Sequence, residues 1–593
     1  MSGAAVRPEN PLVVQSDRTA LLEVASPLYK DARDEIALFA ELEKSPEHLH
    51  TYRITPLSVW NAAAAGLTAG RVIASLERFS KYEVPQIVAT EVRDLMSRYG
   101  KVRLERDGGD GGELRLVCDD PHVLAEAARS PLVSKFLAGR RGESALAVDA
   151  GARGAVKQAL LKLGYPALDL AGYVDGAPLT IALKLGAALP DGRPFRLRAY
   201  QLEAIENFHA GGSIHGGSGV VALPCGAGKT IVGIGVMAKV GARTLVLTTN
   251  VTALRQWRRE LIEKTSLSED DVGEYSGERK DVRPVTIATY QILTHRKAAT
   301  DEFSHFGLFF RNDWGLIVYD EVHLLPAPVF RVTAEIQARR RLGLTATLVR
   351  EDGKEEDVFA LIGPKRHDVP WKVLENQGWI APARCVEVRL PLAPHRRMEH
   401  ALAAPRDKFR IAAENEDKVP LVTGLVARHE RDLVLVIGQY LSQLRFLARV
   451  LDVPLLTGAT SNDDRARLYD AFRRGEIRCL VVSKVANFAV DLPEANVAIQ
   501  VSGTFGSRQE EAQRLGRILR PKKDGGIATF YTLVTRDSRE QDFASKRQLF
   551  LAEQGYTYEI RDAAEFAAGP GGTNGSRGAA GSGSAAADGE RAP

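Results

Sequence analysis

Residues 219–240, GVVALPCGAGKTIVGIGVMAKV, decide the fold. An apolar, β-branched run leads into a glycine-containing loop and then into a helical stretch, the context that a phosphate-binding loop requires. Gly226 and Gly228 allow backbone N–H groups to curl around phosphate oxygens at a helix N-terminus. Lys229 supplies a point charge for the β and γ phosphates, and Thr230 supplies an oxygen for Mg²⁺. The loop from Pro224 through Cys225, Gly226, Ala227, Gly228 and Lys229 to Thr230 is therefore the candidate nucleotide site. The strict pattern GxxxxGK[ST] wants glycine where Leu223 stands, and that glycine is dispensable if the last three loop residues do the wrapping. A glycine-rich turn without a ligand is the bland alternative, and the flanking strand and helix argue against it.

Outward from this loop, short β-rich runs alternate with amphipathic helices, the pattern of a parallel sheet with crossover helices. The spacing predicts strands at Val220–Leu223, Thr244–Thr248, Val285–Ala288, Leu316–Tyr319 and Leu342–Leu344. A second set falls at Leu433–Ile437, Val453–Leu456, Cys479–Ser483, Val497–Val501 and Ala528–Leu533. Two such sheets in tandem imply a cleft between domains, where ligands preferentially bind. At the end of the strand in LIVYDEVH, Asp320 is placed to hold the metal and Glu321 to polarise the attacking water. Alone, an acidic pair after a strand is usually a surface turn; its position after the phosphate loop gives it meaning. Farther on, SRQEEAQRLGRILR opens with a capping box, Ser507 with Glu510, and puts Gln513, Arg517 and Arg520 on one helix face. Two arginines aimed at one locus fit an arginine-finger site better than a solvated basic face.

The 593 residues suggest about four units. Apolar residues make up 45% and charged residues 26%, which excludes a fibrous or wholly disordered chain. The formal charge of +4 does not identify a nucleic-acid binder but permits a local basic groove. No apolar run reaches the roughly 18 residues of a membrane span, and Met1–Leu12 lacks a leader's apolar stretch. Cys118, Cys225, Cys385 and Cys479 form no CxxC pair, so spacing signals no metal cluster, and isolated thiols fit a reducing, cytoplasmic setting. At the N-terminal end a strand pair is expected at Pro11–Gln15 and Thr19–Val24, then a helix over Ala32–Leu42. Pro56, Thr68 and Pro85 open three helices, the last stopping at Gly100, and KVRLER with ELRLVC across DGGDGG reads as a hairpin. Three helices and a hairpin form a winged-helix pattern, as often a packing module as a DNA binder. Residues 121–190 read as a small α/β accessory unit with helices at Val123–Leu137 and Ala152–Leu163 and strands at Ala145–Val148 and Leu179–Leu183. The glycine-rich end, 567–593, lacks the apolar surface to fold.

The order PCGAGKT, DEVH, LTAT and QRLGRILR resembles that of superfamily 2 helicases. LIGPKR, ATLVRED, DLPEANVAIQ and FGSRQEEAQRLGRILRPK together look like the xeroderma pigmentosum group B (XPB) helicases, notably bacterial ones, over roughly residues 190–560. The resemblance implies two tandem RecA-like parallel-sheet domains, 191–370 and 371–566, after an N-terminal α+β region, 1–120, with a winged-helix-like part and the accessory unit at 121–190, similar in position to a damage-recognition domain. It implies that Gln201, in RAYQLEAI, reads adenine. Thr345 and Thr347 would couple hydrolysis to DNA grip, and Asp491 would link the second domain to both ligands. Arg350, Glu351 and Asp352 match a triad used at the DNA fork, and the stretch 395–418, containing HRRMEHALAAPRDKFR, is similar in position to a thumb insertion.

The reading is thus an ATP- and Mg²⁺-dependent DNA helicase moving 3′ to 5′, the polarity being implied by the resemblance alone. Single-stranded and forked DNA are its expected substrates, DNA repair its expected setting, and a nuclease or repair protein its implied companion, with no membrane involved. A duplex translocase that separates no base pairs and an RNA helicase are the alternatives. A catalytically dead scaffold is disfavoured, because Lys229, Glu321, Arg517 and Arg520 are all present.

Overall fold

The computed structural model describes residues 6–45, 48–107, 112–149, 151–189, 192, 194–224, 226–296, 304–311, 313–336, 339–346, 355–369, 371–379, 382–483, 495–503, 527–553 and 558–567. Two parallel sheets dominate it. The first has the order Val272–Tyr275, Val285–Thr289, Thr244–Thr248, Leu316–Asp320, Arg340–Thr345, Ser218–Ala222, Lys365–Asp368. The second runs Leu455–Leu456, Cys479–Ser483, Val434–Gly438, Val497–Gln500, Ala528–Thr535, Ala383–Leu390, Tyr558–Asp562. Central strands such as Thr244–Thr248 and Val434–Gly438 are buried at every residue, because helices cover both faces of a parallel sheet. That double burial explains why their apolar runs were legible. The strands absent from the sequence reading are Val272–Tyr275, Lys365–Asp368, Ala383–Leu390 and Tyr558–Asp562, at or next to sheet edges. Lys365–Asp368 is polar throughout and Ala383–Leu390 and Tyr558–Asp562 mix charged with apolar residues, as positions at or near an edge tolerate, while Val272–Tyr275, VGEY, is short and has one aliphatic side chain.

The N-terminal region holds two further units. An antiparallel sheet, ordered Leu12–Val14, Thr19–Glu23, Leu49–Arg53, Glu41–Lys44, packs against the helices Tyr29–Ile36, Pro56–Ala64, Ala69–Phe79 and Gln86–Arg98. Thr55 and Thr68 cap the second and third of these helices, as their sequence signals require. The helix expected over Ala32–Leu42 ends at Ile36. Beyond it Glu41, Leu42 and Glu43 alternate exposed and buried, a strand period, and Leu42 pairs with Tyr52.

The expected hairpin forms, with Val102 opposite Cys118 and Leu104 opposite Leu116. It does not join the three helices in a winged-helix core. It lies in a five-stranded sheet with Leu137–Arg141, Ala145–Val148 and Leu168–Asp169, sharing a core with the helices Pro121–Arg129 and Arg153–Lys162. The division between the two N-terminal units therefore runs near Gly100, not at 120. The helix expected over Val123–Leu137 stops at Arg129, because Pro131 disfavours helical geometry at Ser130. Leu179–Leu183 is not a strand of the accessory sheet. It and the preceding Pro178 make single bridges with the first parallel-sheet domain, Pro178 to Ala242 and Leu183 to Thr265, and Ile181 is buried in that domain's core.

These N-terminal units are tied to the first sheet. The Lys365 N–H donates to Asn61 Oδ1 at 3.0 Å, and Gln158 Nε2 donates to Asp357 Oδ1 at 2.7 Å. The stretch with thumb-like placement folds as two short helices, Pro394–Leu402 and Pro405–Ala413. Among the described residues no helix is long and apolar enough to cross a membrane.

The second sheet is locked by a buried ion pair. Lys418 Nζ lies 2.8 Å from both Glu540 carboxylate oxygens and also donates to the carbonyls of Ala413 and Val501. Both side chains are fully buried. Lys418→Ala should leave Glu540 charged and unpaired, costing about 3–5 kcal/mol in denaturant unfolding. Lys418→Met combined with Glu540→Gln, which keeps an acceptor for the Thr535 N–H, should recover most of that loss. Stability of Lys418→Ala within about 0.5 kcal/mol of wild type, the spread of neutral surface changes, would show that the pair carries no such weight.

Candidate functional site

The strand Ser218–Ala222 runs through Leu223 and Pro224 into the loop, and the helix Lys229–Val240 starts directly after Gly228. Gly226 and Gly228 have φ of 82° and 84°, left-handed values that glycine adopts without steric cost. A Cβ on Gly228 would also stand 2.6 Å from Gln201 Nε2. Glycine is thus required there twice over. The loop is braced from the helix Ala199–His209: the Tyr200 hydroxyl and Gln201 Nε2 both donate to the Ala227 carbonyl, at 2.7 and 3.0 Å. Gln201 Oε1 accepts from the Arg198 N–H at 2.9 Å, and the Arg198 guanidinium lies 4.5 Å from the centre of the Trp379 ring. Gln201 is buried and spends both ends of its amide on the protein, so in this structure it positions the loop.

Strand pairing brings the acidic pair to the same place. Arg340–Thr345 lies between the loop strand and Leu316–Asp320, with Ala222 opposite Thr345 and Asp320 opposite Leu344. Loop, acidic pair and Thr345 therefore meet at the carboxyl edge of the sheet, where open parallel sheets bind ligands. Lys229 Nζ is 3.3 Å from Glu321 Oε1. His323 Nδ1 stands 3.7 Å from the other Glu321 oxygen and 2.6 Å from the Thr345 hydroxyl. Glu321 itself has a left-handed backbone, φ 51°, which turns the chain sharply after Asp320. Asp320 Oδ2 accepts from Trp257 Nε1 at 2.9 Å, and its carbonyl accepts from the Tyr290 hydroxyl at 3.0 Å.

The two carboxyls differ in proton affinity. Burial, then the neighbouring Glu321 charge, pushes Asp320 up to about 6. Burial also works against ionised Glu321, but Lys229, His323 and the Ala346 N–H outweigh it and hold Glu321 below its ordinary value. The pair thus combines a carboxyl that gains from an added cation with a carboxylate kept charged beside Lys229. Among the described residues no cluster of three or more His, Cys, Asp or Glu side chains could hold a metal. Thr230 and Asp320 offer hard oxygen donors, and Mg²⁺ takes only one or two protein oxygens, so these two fit it.

Of the residues read from sequence, Gln201, Pro224, Gly226, Ala227, Gly228, Lys229, Thr230, Asp320, Glu321 and Thr345 lie in this one region. Cys225, Thr347, Arg350, Glu351, Asp352, Asp491, Gln513, Arg517 and Arg520 lie outside the described residues. Sequence reasoning missed His323, which bridges Glu321 and Thr345 although it stands inside the quoted LIVYDEVH. It also missed Tyr200 and Trp257. Tyr200 adjoins Gln201, while Trp257 sits on the helix Val251–Lys264, remote along the chain and without local signal.

Three family models match. One, described as ERCC3/RAD25/XPB C-terminal helicase, covers residues 374–568; one described as the res subunit of type III restriction enzymes covers 194–350; one described as a helicase conserved C-terminal domain covers 12–141. A protein named DNA 3′-5′ helicase XPB from Mycobacterium tuberculosis is 56% identical over 94% of this chain and 98% of its own length. Its namesake from Kineococcus radiotolerans is 57% identical over 94% and 97%. A protein of Antonospora locustae named general transcription and DNA repair factor IIH helicase/translocase subunit XPB is 35% identical over 94% and 82%.

Asp320 provides a test of the site's electrostatics. Its folded-state proton affinity exceeds that of the unfolded chain, so its ionised form opposes folding, fully above pH 6 and not at all below about pH 4. Asp320→Asn, which keeps an acceptor for Trp257, should therefore raise stability at pH 7.5 by about 1–3 kcal/mol. In thermal unfolding across pH that advantage should shrink as pH falls through 6. A constant difference from pH 7.5 to 5 would refute the raised affinity.

Proposed function

The chain belongs to the XPB family of DNA 3′-5′ helicases, and we propose that its first parallel sheet carries out the ATP chemistry while both sheets together pull one DNA strand. It is an ATP-dependent DNA helicase. The observation that supports the proposed division of roles is the chain of contacts from Lys229 through Glu321 and His323 to Thr345.

In this reading the loop N–H groups and Lys229 hold the β and γ phosphates, while Thr230 and Asp320 hold Mg²⁺, which when bound neutralises phosphate charge. Glu321 orients the attacking water and takes its proton. With Lys229 at 3.3 Å, Glu321 is a weak base. Phosphate competes for the Lys229 ammonium, and Glu321 gains basicity when substrate is in place. Gln513, Arg517 and Arg520 complete the site from the second domain, their guanidinium groups meeting charge on the γ-phosphoryl. Gln201 sets the loop and faces adenine through its remaining N–H. Thr345 feels Glu321 through His323 and, with Thr347 and Asp491, passes the state of the nucleotide to the DNA grip. Arg350, Glu351 and Asp352 meet the fork, the arginine at base edges and the acids against the displaced backbone. Binding along the strand is through phosphates, hence sequence-independent and weakened by salt.

DNA repair is the proposed setting, with a nuclease or repair protein as partner and the cytoplasm as location. The Antonospora relative's name includes translocase, so duplex translocation without strand separation is the second reading. ATPase rates with single-stranded, duplex and forked DNA and with RNA, beside unwinding of forks of either polarity, separate these. Stimulation by RNA alone would sink the DNA reading, and duplex-stimulated ATPase without unwinding would favour the translocase.

Glu321→Gln should keep ATP and DNA binding and lose turnover, whereas Lys229→Ala should weaken nucleotide binding itself. Near-wild-type hydrolysis by Glu321→Gln would remove Glu321 from the base role. Alanine at Arg517 or Arg520 should cut the rate on the order of 10³-fold, far more than ATP affinity. An equal loss in rate and affinity would indicate a plain binding role. The triple alanine variant at Arg350, Glu351 and Asp352 should lose fork opening and retain most single-strand-stimulated ATPase; joint loss of both activities would make the triad structural.

A further inference from the structure

Trp257, on the helix Val251–Lys264, has 1% of its surface exposed, and its ring reaches two parts of the nucleotide site. Its six-membered ring stands over Gly233, where a Cβ would come within 2.4 Å of Trp257 Cη2. Gly233 follows Thr230 by three residues on the helix Lys229–Val240, so the two are neighbours on one helix face. At its other end the indole gives Nε1–H to Asp320 Oδ2 at 2.9 Å. One rigid ring therefore spans from the helix that carries Thr230 to the strand that ends in Asp320, the two residues whose oxygens fit Mg²⁺.

Filling the core does not require an indole there. Phenylalanine or leucine would occupy an apolar position, and what tryptophan adds is a single N–H donor. Two other buried indoles of the chain, Trp60 and Trp314, give that N–H to the backbone carbonyls of Leu95 and Leu308. Trp257 gives it to a carboxyl group, whose ionised form accepts a stronger, charge-assisted bond. Among the described residues no other side chain hydrogen-bonds to the Asp320 carboxyl. Asp320 is also the one residue of its strand that is partly exposed. Oδ2 is thus held from the core side, and Oδ1 is the oxygen left for a ligand at the rim.

A carboxylate with one oxygen committed offers a cation only the other. Ca²⁺ takes roughly six to eight oxygens in flexible geometry and accepts both oxygens of one carboxylate, whereas Mg²⁺ needs few protein oxygens in a strict octahedron. Given Asp320 as a residue that holds the metal, a reading on which this role rests, we infer that Trp257 is a positioning residue that makes Asp320 a one-oxygen donor and so sets the preference of the nucleotide site for Mg²⁺ over Ca²⁺. Trp257 touches neither nucleotide nor metal in this role. It acts through Asp320 alone.

The test is equilibrium binding of a fluorescent, non-hydrolysable ATP analogue to the full chain without DNA, in EDTA, in Mg²⁺ and in Ca²⁺. Wild type should bind most tightly with Mg²⁺. Trp257→Phe keeps an aromatic ring in the core and removes the donor. It should leave Kd in EDTA within about twofold, raise Kd with Mg²⁺ about tenfold or more, and change Kd with Ca²⁺ by no more than about twofold. Should Trp257→Phe fail to fold, Trp257→β-(3-benzothienyl)alanine, which exchanges only the N–H for sulphur, carries the same comparison. Equal gains from Mg²⁺ and Ca²⁺ in wild type, an unchanged gain from Mg²⁺ in the variant, equal losses with the two cations, or a loss of the same size in EDTA would each overturn the inference. A wild-type Kd that neither cation changes would instead remove Asp320 and Thr230 from the metal, a separate failure visible before any variant is made.

Discussion

Strand Arg340–Thr345 hydrogen-bonds on one side to the strand that feeds the phosphate loop and on the other to the strand that ends in Asp320. The chemistry of the first domain depends on that double pairing. A slip of one residue along it would carry Glu321 about 3.3 Å past Lys229 and turn the strand's side chains to the other face. The fit is tight where the three strands meet: a Cβ on Gly343 would stand 3.1 Å from both Val220 and Val322. Packing of the glycine backbone against these valines thus helps to hold the register on which an ion pair a few residues away relies.

The second domain uses a different device. Where the first brings Lys229, Asp320 and Glu321 to its rim, the second buries Lys418 and Glu540 completely and spends them on each other and on backbone. The Lys418 contact with the Val501 carbonyl sits at the end of the strand Val497–Gln500, just ahead of the segment that holds Gln513, Arg517 and Arg520. A charge pair without access to solvent thus fixes the chain at the end of the strand Val497–Gln500.

Much of this was legible in the sequence because the central strands are buried on both faces and read as continuous apolar runs. The phosphate loop declares itself through glycines at two left-handed positions. The edge strand Lys365–Asp368, KRHD, carries no apolar signal, and its place is set by pairing with Ser218–Ala222. The hairpin at 102–118 looked like a wing because it follows three helices; its true partners, Ala145–Val148 and Leu168–Asp169, come later in the chain. His323 was visible as a letter, but its bond to Thr345 spans 22 positions and exists only once two strands lie side by side. The Trp257 indole over Asp320 spans 63 and is of the same kind.

The hydrogen bond from the Lys365 N–H to Asn61 bears on how the chain behaves in a crowded solution. Lys365–Asp368 is the outermost strand of its sheet, and an uncovered strand offers unsatisfied N–H and C=O groups to any extended segment nearby. The helix Pro56–Ala64 lies against that margin and fills one of its donors with a side chain. The N-terminal unit therefore serves as a guard against edge-to-edge association, and a shortened chain without it would keep the rim that carries Lys229 and Glu321 but present a sticky border, prone to self-assembly at high concentration.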